Sequence, residues 1–187
     1  MEACDVQLIE HALSEELCSI ACAYLRLKAD IGEMTLGDSH VPNAFCSYGD
    51  LLMEVILQRV QPRLEEATRT TLLPTHSYAR IYQRGDQLSL HRDRPACEFS
   101  VTVTLGHAME EPWPIFVGTD ERPRQFMLKA GDGLIYPGAA VDHWREPLIG
   151  EWQAQLTLHY VNKNGLCADW VFDKRPGLGR HRGTRRV

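Results

Sequence analysis

The chain has 187 residues, of which 44% are hydrophobic and 24% are charged, and its formal net charge is −5. This composition is that of an ordinary globular protein, and the length suits one domain that is large enough to bury a core. The net negative charge gives no general reason to expect nucleic acid as a partner, and no apolar run reaches the roughly 18 residues that a membrane span requires.

Two helical patterns come first along the chain. Apolar residues recur at helical spacing from Ser14 to Lys28 and again from Asp50 to Val60, and Ser14 and Asp50 are suitable N-caps. Pro62 is expected to end or kink the second helix. The segment between the helices, GDSHVPNAFCSYG, is rich in turn residues and predicts a mobile loop.

From residue 75 the pattern changes to short apolar or alternating runs that are separated by glycine and proline. These runs are HSYARIYQ, CEFSVTVTLG, WPIFVG, FMLKAGDGLIYPG and WQAQLTLHYV. They predict β-strands separated by turns. Two helices followed by short strands indicate an α+β domain in which the strands form a sandwich or a jelly roll.

This pattern divides the single domain into three regions. We expect residues 1–74 to be a mainly helical support region, 75–162 to be the strand-rich core, and 163–187 to be a C-terminal extension. The extension ends in a basic stretch that is typical of a solvated tail. Its basic residues are Arg180, His181, Arg182, Arg185 and Arg186.

The six cysteines indicate a reduced protein. They are scattered over the chain, and none forms a CxxC pair. Cys18 and Cys22 are four residues apart within a helical pattern, so we expect them to pack on a helix face and not to bind metal. The acidic N-terminus lacks a signal pattern, and together these features predict a cytoplasmic location.

The segment His91-Arg92-Asp93-Arg94-Pro95 places an imidazole and a carboxylate two residues apart. On an extended segment the two side chains share a face, which suits either an ion pair or two ligands for one metal. A third ligand from a distant strand would favour the metal, and His143 lies 52 residues after His91. Two histidines and one carboxylate fit a facial triad with three open positions, as in non-haem Fe(II) enzymes, whereas a closed zinc site would want a fourth ligand.

With these residues in place, the chain resembles the Fe(II)- and 2-oxoglutarate-dependent dioxygenases, in the branch similar to prolyl 4-hydroxylase catalytic domains. The resemblance covers roughly Tyr78 to Val161. It rests on Tyr82-x-x-Gly85, His91-x-Asp93, Leu128-x-x-Gly131-Asp132 with Leu134, the distal His143, and Pro147 and Gly150 beyond it. It implies a double-stranded β-helix core, of the jelly-roll or cupin-like type, with the N-terminal helices packed against its outer side.

The resemblance also implies a chemistry. Fe(II) would be bound by His91, Asp93 and His143, with 2-oxoglutarate and O2 as cosubstrates, and Tyr82 would contact the 2-oxoglutarate. The expected reaction is hydroxylation of an unactivated C–H bond with release of succinate and CO2. No catalytic residue beyond the metal ligands is implied.

The sequence departs from the family pattern at the cation that binds the distal carboxylate of 2-oxoglutarate. Family members place an arginine or lysine nine to eleven residues after the distal histidine, where this chain has Trp152, Gln153 and Ala154. Gln153 can donate a hydrogen bond to a carboxylate, although a charge-assisted contact is about twice as strong. Gln155 can add a second hydrogen bond.

Two arginines are the better candidates for the missing cation. Arg80 shares a strand face with Tyr82, and Arg145 should face the same side as His143 if that segment is extended. Arg94, directly after Asp93, is a weaker candidate. Each of these arginines could instead form an ion pair with a neighbouring acid; Glu98 and Glu146 are the nearest in sequence.

Three other residues are expected near the site. Ser100 and Thr102 lie on the polar face of the strand that follows the HRDRP segment, and this face is expected to line the central cavity. His159, near the end of the last strand, is expected to line the pocket too.

Two alternatives remain open from the sequence. The missing cation favours a metal-dependent, cupin-like enzyme that does not use 2-oxoglutarate, and a non-catalytic metal-binding module would keep the same barrel. A chain of 187 residues without an added recognition domain favours a small-molecule or amino-acid-like substrate. A peptide is the second choice, and neither a membrane nor nucleic acid is expected as a partner. The sequence specifies neither the substrate, nor whether the outcome is hydroxylation, desaturation or cyclisation, nor the oligomeric state.

Overall fold

The computed structural model describes residues 6–119 and 121–180, which form two α-helices, eleven β-strands and two short 3₁₀ segments. The helices are α1, Glu15–Asp30, and α2, Leu51–Thr68. The strands are β1 Gln7–Ile9, β2 Thr35–Leu36, β3 Phe45–Tyr48, β4 Leu72–Gln83, β5 Leu88–His91, β6 Phe99–His107, β7 Ile115–Thr119, β8 Arg122–Phe126, β9 Gly133–Tyr136, β10 His143–Arg145 and β11 Trp152–Asn162. The 3₁₀ segments are Pro95–Cys97 and Ala168–Lys174.

The strands form two antiparallel sheets. The larger has the order β1-β9-β6-β11-β4-β3-β2, and the smaller has the order β5-β10-β7-β8. Strands β4 and β11 pair along almost their whole length at the centre of the larger sheet, from Trp152 opposite Gln83 to Asn162 opposite Leu72. The α+β class that the sequence indicated is therefore the class observed.

The central strands of the larger sheet alternate between an apolar face and a polar face. The apolar face packs against α1 and α2 and forms the main core of the protein. Its strand residues are Ala79, Ile81, Val101, Val103, Leu156 and Leu158, all at most 6% exposed. Because side chains alternate along a strand, the polar residues between them face the other way, towards the smaller sheet. This polar face forms one wall of the cavity described below.

Helix α1 begins after Ser14, as predicted, and the Ser14 hydroxyl accepts a hydrogen bond from the Leu17 amide at 3.3 Å. Cys18 and Cys22 are buried on the face of α1 that packs on the sheet, as expected. Among the described residues Cys18, Cys22, Cys46, Cys97 and Cys167 are free, and Cys4 lies outside them. No helix in residues 6–119 or 121–180 is long and apolar enough to cross a bilayer.

Pro62 was predicted to end or to kink helix α2. The helix does not end there but continues to Thr68. The proline ring is exposed on the outer side of the helix. On the inner side Val60 and Leu64 continue the apolar stripe and are at most 2% exposed. Burial of this stripe offsets the hydrogen bond that the proline removes, because packing of an amphipathic face contributes most of the stability of a helix in a protein.

The turn-rich segment between the helices, which was predicted to be a loop, contains a β-strand. Strand β3 pairs with β4, with Cys46 opposite Arg80 and Tyr48 opposite Tyr78. The preceding loop, residues 37–44, is tied to the same strand by Asp38, whose carboxylate accepts hydrogen bonds from the Tyr78 hydroxyl and the Arg80 guanidinium, both at 2.8 Å. Long-range contacts thus order a stretch that local sequence describes as a loop.

The C-terminal segment returns to the helical side of the molecule. Arg175 is 5% exposed, forms an ion pair with Glu54 of α2, and donates a hydrogen bond to the Thr75 carbonyl oxygen at 2.9 Å. Arg180 is exposed, as expected of a basic tail. The other residues of that predicted tail, His181, Arg182, Arg185 and Arg186, lie outside the described residues.

The Asp50 side chain connects the two helices, and its replacement should show how much this contact contributes to the free energy of unfolding. The carboxylate caps α2 through the Leu52 and Met53 amides and also accepts from the Tyr24 hydroxyl and the Lys28 ammonium group. Asp50→Ala should lower the free energy of unfolding in urea by about 2 kcal/mol, since loss of a cap alone costs about 1 kcal/mol. Asp50→Asn keeps a capping oxygen and should lose less. An equal loss in the two variants would contradict a role for capping.

Candidate metal centre

The three residues predicted as metal ligands meet between the two sheets. His91 ends β5 and His143 begins β10, and the two residues are direct partners in the β5–β10 pair. Asp93 follows β5, and its Oδ1 lies 3.7 Å from Nε2 of His91 and 3.7 Å from Nε2 of His143. One ligand atom from each residue therefore falls within 4.8 Å of the other two.

The hydrogen bonds around the two imidazoles prepare them to bind a metal. His91 Nδ1 donates to the Ser89 carbonyl oxygen at 2.7 Å, and His143 Nδ1 donates to the Val141 carbonyl oxygen at 3.2 Å. A carbonyl only accepts, so each Nδ1 carries the hydrogen and each Nε2 keeps its lone pair. Burial lowers the pKa of both histidines, which favours the neutral ring that a metal requires.

The Asp93 carboxylate is ionised. Burial alone would raise its pKa, but His159, His143 and the Ser100 hydroxyl together lower it. Two neutral imidazoles and one carboxylate, held on adjacent strands, are the donor set that suits a non-haem Fe(II) ion with open positions. The residues present thus fit the ion that the resemblance implies.

Close packing beside Asp93 explains a glycine in the turn before His143. The Asp93 amide donates to the Gly138 carbonyl oxygen at 2.9 Å. A Cβ atom on Gly138 would overlap both the Ser100 hydroxyl and Oδ2 of Asp93. Only glycine at this position lets the carboxylate and the hydroxyl occupy the places that they have.

A second group of potential ligands, His76, Cys97 and His159, lies deeper in the sheet and is fully buried. Its electrostatics disfavour a metal ion. The guanidinium of Arg94 lies 3.3 Å from Nε2 of His76, which places a positive charge where a cation would bind. Burial also raises the pKa of the Cys97 thiol far above its ordinary value, so that this group offers a protonated sulfur.

The three candidate metal ligands line a cavity of about 300 Å³. Four of the five residues that were predicted to contact 2-oxoglutarate line it too, namely Tyr82, Arg80, Arg145 and Gln155. Gln153 lies behind this wall. Thr102 and His159 line the cavity, as expected, whereas Ser100 is not part of its lining and instead contacts the candidate metal ligand Asp93.

Arg145 is a buried cation without a counter-charge. It is 2% exposed, Nη1 donates to the Trp113 carbonyl oxygen at 2.6 Å, and the Trp113 ring lies 4.8 Å from its guanidinium carbon. Nη2 has no partner, and no carboxylate of residues 6–119 or 121–180 forms an ion pair with it. Burial lowers its pKa to about 10, which still leaves it charged at neutral pH. An uncompensated buried charge is costly, so an anion on this side of the cavity would stabilise Arg145.

The other arginines in the cavity wall already have partners. Arg80 donates to Asp38 through Nε at 2.8 Å and Nη2 at 2.7 Å. Arg94 forms an ion pair with Asp173. Neither pairs with Glu98 or Glu146, the acids that sequence proximity suggested.

The two glutamines form a chain of amides along β11. Gln153 Nε2 donates to Gln155 Oε1 at 2.8 Å, and Gln155 Nε2 donates to Thr102 Oγ1 at 2.7 Å. The atom of Gln153 without a partner is its carbonyl oxygen, which does not attract a carboxylate. In this arrangement Gln153 orients Gln155, while Gln155 reaches the cavity.

Two residues of the candidate site were not predicted from the sequence. The Tyr136 ring lies 4.8 Å from that of His143, and the His40 ring stacks on His91 at 4.1 Å. Both line the cavity. Tyr136 could have been found, because it lies two residues after Leu134 and so shares a strand face with it. His40 carried no local signal, since long-range hydrogen bonds of Asp38 and of His40 itself bring its loop to the site.

Comparisons with known proteins identify the fold. No protein-family model matches the chain, and no curated protein matches it significantly. Among solved structures it is similar to a prolyl-4-hydroxylase from Pseudomonas putida, with a TM-score of 0.68 and 14% identity over 86% of this chain and 94% of that one. It is also similar to SnoN, a non-haem α-ketoglutarate-dependent epimerase of nogalamycin biosynthesis, with a TM-score of 0.68 and 15% identity over 95% of this chain and 87% of that one. A 2OG-Fe(II) oxygenase family oxidoreductase from Burkholderia pseudomallei gives a TM-score of 0.61 and 17% identity over 86% of each chain. The predicted double-stranded β-helix fold is thereby confirmed.

The buried histidines predict how stability depends on pH. Burial lowers the pKa of His159 to about 4 and also lowers that of His76. Between about pH 6.5 and pH 4 the unfolded chain therefore binds protons that the native state does not. As the pH is lowered from about 6.5 to about 4, the free energy of unfolding of the metal-free protein should therefore decrease. The decrease should be on the order of 3 kcal/mol for His159 alone. Urea unfolding at pH 7 and pH 4.5 measures this loss, which His159→Asn should reduce; a loss of the same size in that variant would contradict the assignment.

Proposed function

We propose that this chain, which has the fold of the Fe(II)- and 2-oxoglutarate-dependent oxygenases, is an enzyme of that class and hydroxylates its substrate with release of succinate and CO2. The single observation that carries the proposal is the unpaired, buried Arg145 in the wall of the cavity that the metal triad shares. It lies two residues after His143 on β10. A dicarboxylate that binds the metal through one end can place its other carboxylate against this arginine.

In the proposed enzyme His91, Asp93 and His143 hold Fe(II), which when bound supplies the coupling of O2 reduction to oxidative decarboxylation of 2-oxoglutarate. Arg145 binds the distal carboxylate of the cosubstrate. Tyr82 and Tyr136 are each 2% exposed and line the cavity with it, so their rings exclude water from the cosubstrate. Gln155, fixed by its bonds to Gln153 and Thr102, completes the polar wall.

The metal-dependent enzyme without 2-oxoglutarate, which was the alternative, drew its support from the missing cation after His143. Arg145 supplies a cation from a different position on the chain and removes that support. A metal-binding module without catalysis would have no use for a buried cation that lacks a counter-charge.

The charges around the cavity narrow the substrate class. Apart from Asp93, no carboxylate among the described residues lines the cavity, and Arg80, Arg92 and Arg94 lie in its wall. A cationic group on a substrate would find no counter-charge there. We therefore propose a neutral or anionic small molecule or amino-acid-like substrate, with a peptide as the second choice. The free cysteines support a reducing compartment such as the cytoplasm.

Spectroscopy and product analysis test the reaction class together. Anaerobic addition of Fe(II) and 2-oxoglutarate to the metal-free protein should produce a weak visible charge-transfer band, and O2 should then yield succinate. Asp93→Ala removes the carboxylate ligand and should abolish both signals. Asp169→Ala, at an exposed ion pair with Lys174, is the matched control and should retain them. Succinate formation that survives in Asp93→Ala would exclude the proposal.

Arg145→Met tests the cosubstrate site separately, because it removes the charge while it keeps most of the volume. Titration of the charge-transfer band should show 2-oxoglutarate binding about 10- to 100-fold more weakly, since a hydrogen bond to a charged group contributes about 1.5–3 kcal/mol. Wild-type protein should prefer 2-oxoglutarate over 2-oxopentanoate, which lacks the distal carboxylate, and the variant should lose this preference.

The control for this experiment is Arg59→Met, at an exposed position on α2, which should bind both 2-oxo acids as the wild type does. If Arg145→Met kept the full preference for 2-oxoglutarate, another residue would have to bind the distal carboxylate.

A further inference from the structure

The polar face of the larger sheet places a row of side chains beside Asp93. Ser100 on β6 and His159 on β11 are direct partners across one strand pair, and His159 and His76 on β4 are partners across the next. The Ser100 hydroxyl oxygen lies 2.8 Å from Asp93 Oδ2 and 3.0 Å from His159 Nδ1. From this geometry we infer that Ser100 and His159 are positioning residues, which hold the Asp93 carboxylate in the orientation that binds the metal.

The direction of the two hydrogen bonds follows from the chemistry of the groups. An ionised carboxylate only accepts, so the single hydroxyl hydrogen of Ser100 is donated to Asp93. The other possible acceptor, the Cys97 carbonyl oxygen, is farther away at 3.5 Å. Ser100 must then accept from His159, whose hydrogen therefore lies on Nδ1. This short relay fixes Oδ2 of Asp93 and leaves Oδ1 facing Nε2 of His91 and His143.

The ring of His159 is itself held in place from behind. His76 stacks on it with ring centroids 4.4 Å apart. The Thr75 hydroxyl donates to the Ala96 carbonyl oxygen, so it accepts from His76 Nδ1 at 3.2 Å, and Arg94 donates to His76 Nε2 at 3.3 Å. Both nitrogens of the supporting ring are engaged, which fixes its plane. The His76–Cys97–His159 group thus has a role that does not require a second metal.

This inference rests on the metal centre of the proposed function and not on the use of 2-oxoglutarate, so metal binding alone tests it. The probe is Co(II), titrated into metal-free protein and followed by its visible absorption. Ser100→Ala should weaken Co(II) binding about 10- to 100-fold, the range that removal of a hydrogen-bond partner of a metal ligand produces. Its Co(II) spectrum should also differ from that of the wild type, because Asp93 is then free to rotate.

Ser77→Ala is the matched control. Ser77 is also a fully buried serine on the larger sheet, but its hydroxyl has no hydrogen-bond partner. This variant should bind Co(II) with wild-type affinity and spectrum. If it lost affinity to the same extent as Ser100→Ala, the effect would arise from general packing and the inference would be overturned.

Two replacements of His159 separate its hydrogen bond from its volume. His159→Leu removes the donor and should weaken Co(II) binding, whereas the amide nitrogen of His159→Asn can take the place of Nδ1 and should restore most of the affinity. Equal losses in the two variants would show that the ring acts through packing. Wild-type affinity in Ser100→Ala would overturn the inference while leaving the metal centre intact, and failure of the wild type to bind Co(II) would count against both.

Discussion

The pairing of β5 with β10 sets His91 directly opposite His143, and the site depends on this register. Side chains alternate along a strand, so a shift of one residue would turn His143 and Arg145 together to the other face of the sheet. His143 and Arg145 lie two residues apart on β10, and they are the proposed distal metal ligand and the unpaired cation. One strand of three residues thus contributes both side chains to the cavity wall, and its position is fixed by β5 on one side and β7 on the other.

The arginines in the interior and in the cavity wall differ in whether they have an acidic partner. Arg80, Arg94 and Arg175 each have an acidic partner, although those partners are far away in sequence. Arg145 has none among the residues that the structure describes. Because desolvation of a charge must be compensated by pairing or by hydrogen bonds, the buried Arg145 guanidinium is where we propose that an anionic ligand binds. Strand β10 of the smaller sheet and strand β11 of the larger sheet both border this cavity, so a cation on either strand can face it.

Much of this architecture was predictable, and the failures have physical reasons. The alternation of β6 and β11 and the caps at Ser14 and Asp50 are local properties, so the sequence indicated them. The continuation of α2 beyond Pro62 depends on packing of Leu64, and the strand β3 depends on pairing with β4; neither is visible in a local window. The candidate metal ligands could be chosen from their spacing, whereas the choice among Arg80, Arg94 and Arg145 required knowledge of which acids reach them.

Cys97 places an oxidisable sulfur atom in the wall of the cavity. Its thiol borders the cavity in which we propose that oxygen is activated. The thiolate is the form that oxidants attack, and burial holds this sulfur in the protonated form by raising its pKa. Burial of this sulfur therefore has a chemical consequence in the proposed enzyme: it keeps Cys97 in the form that an oxidant formed in the cavity attacks most slowly.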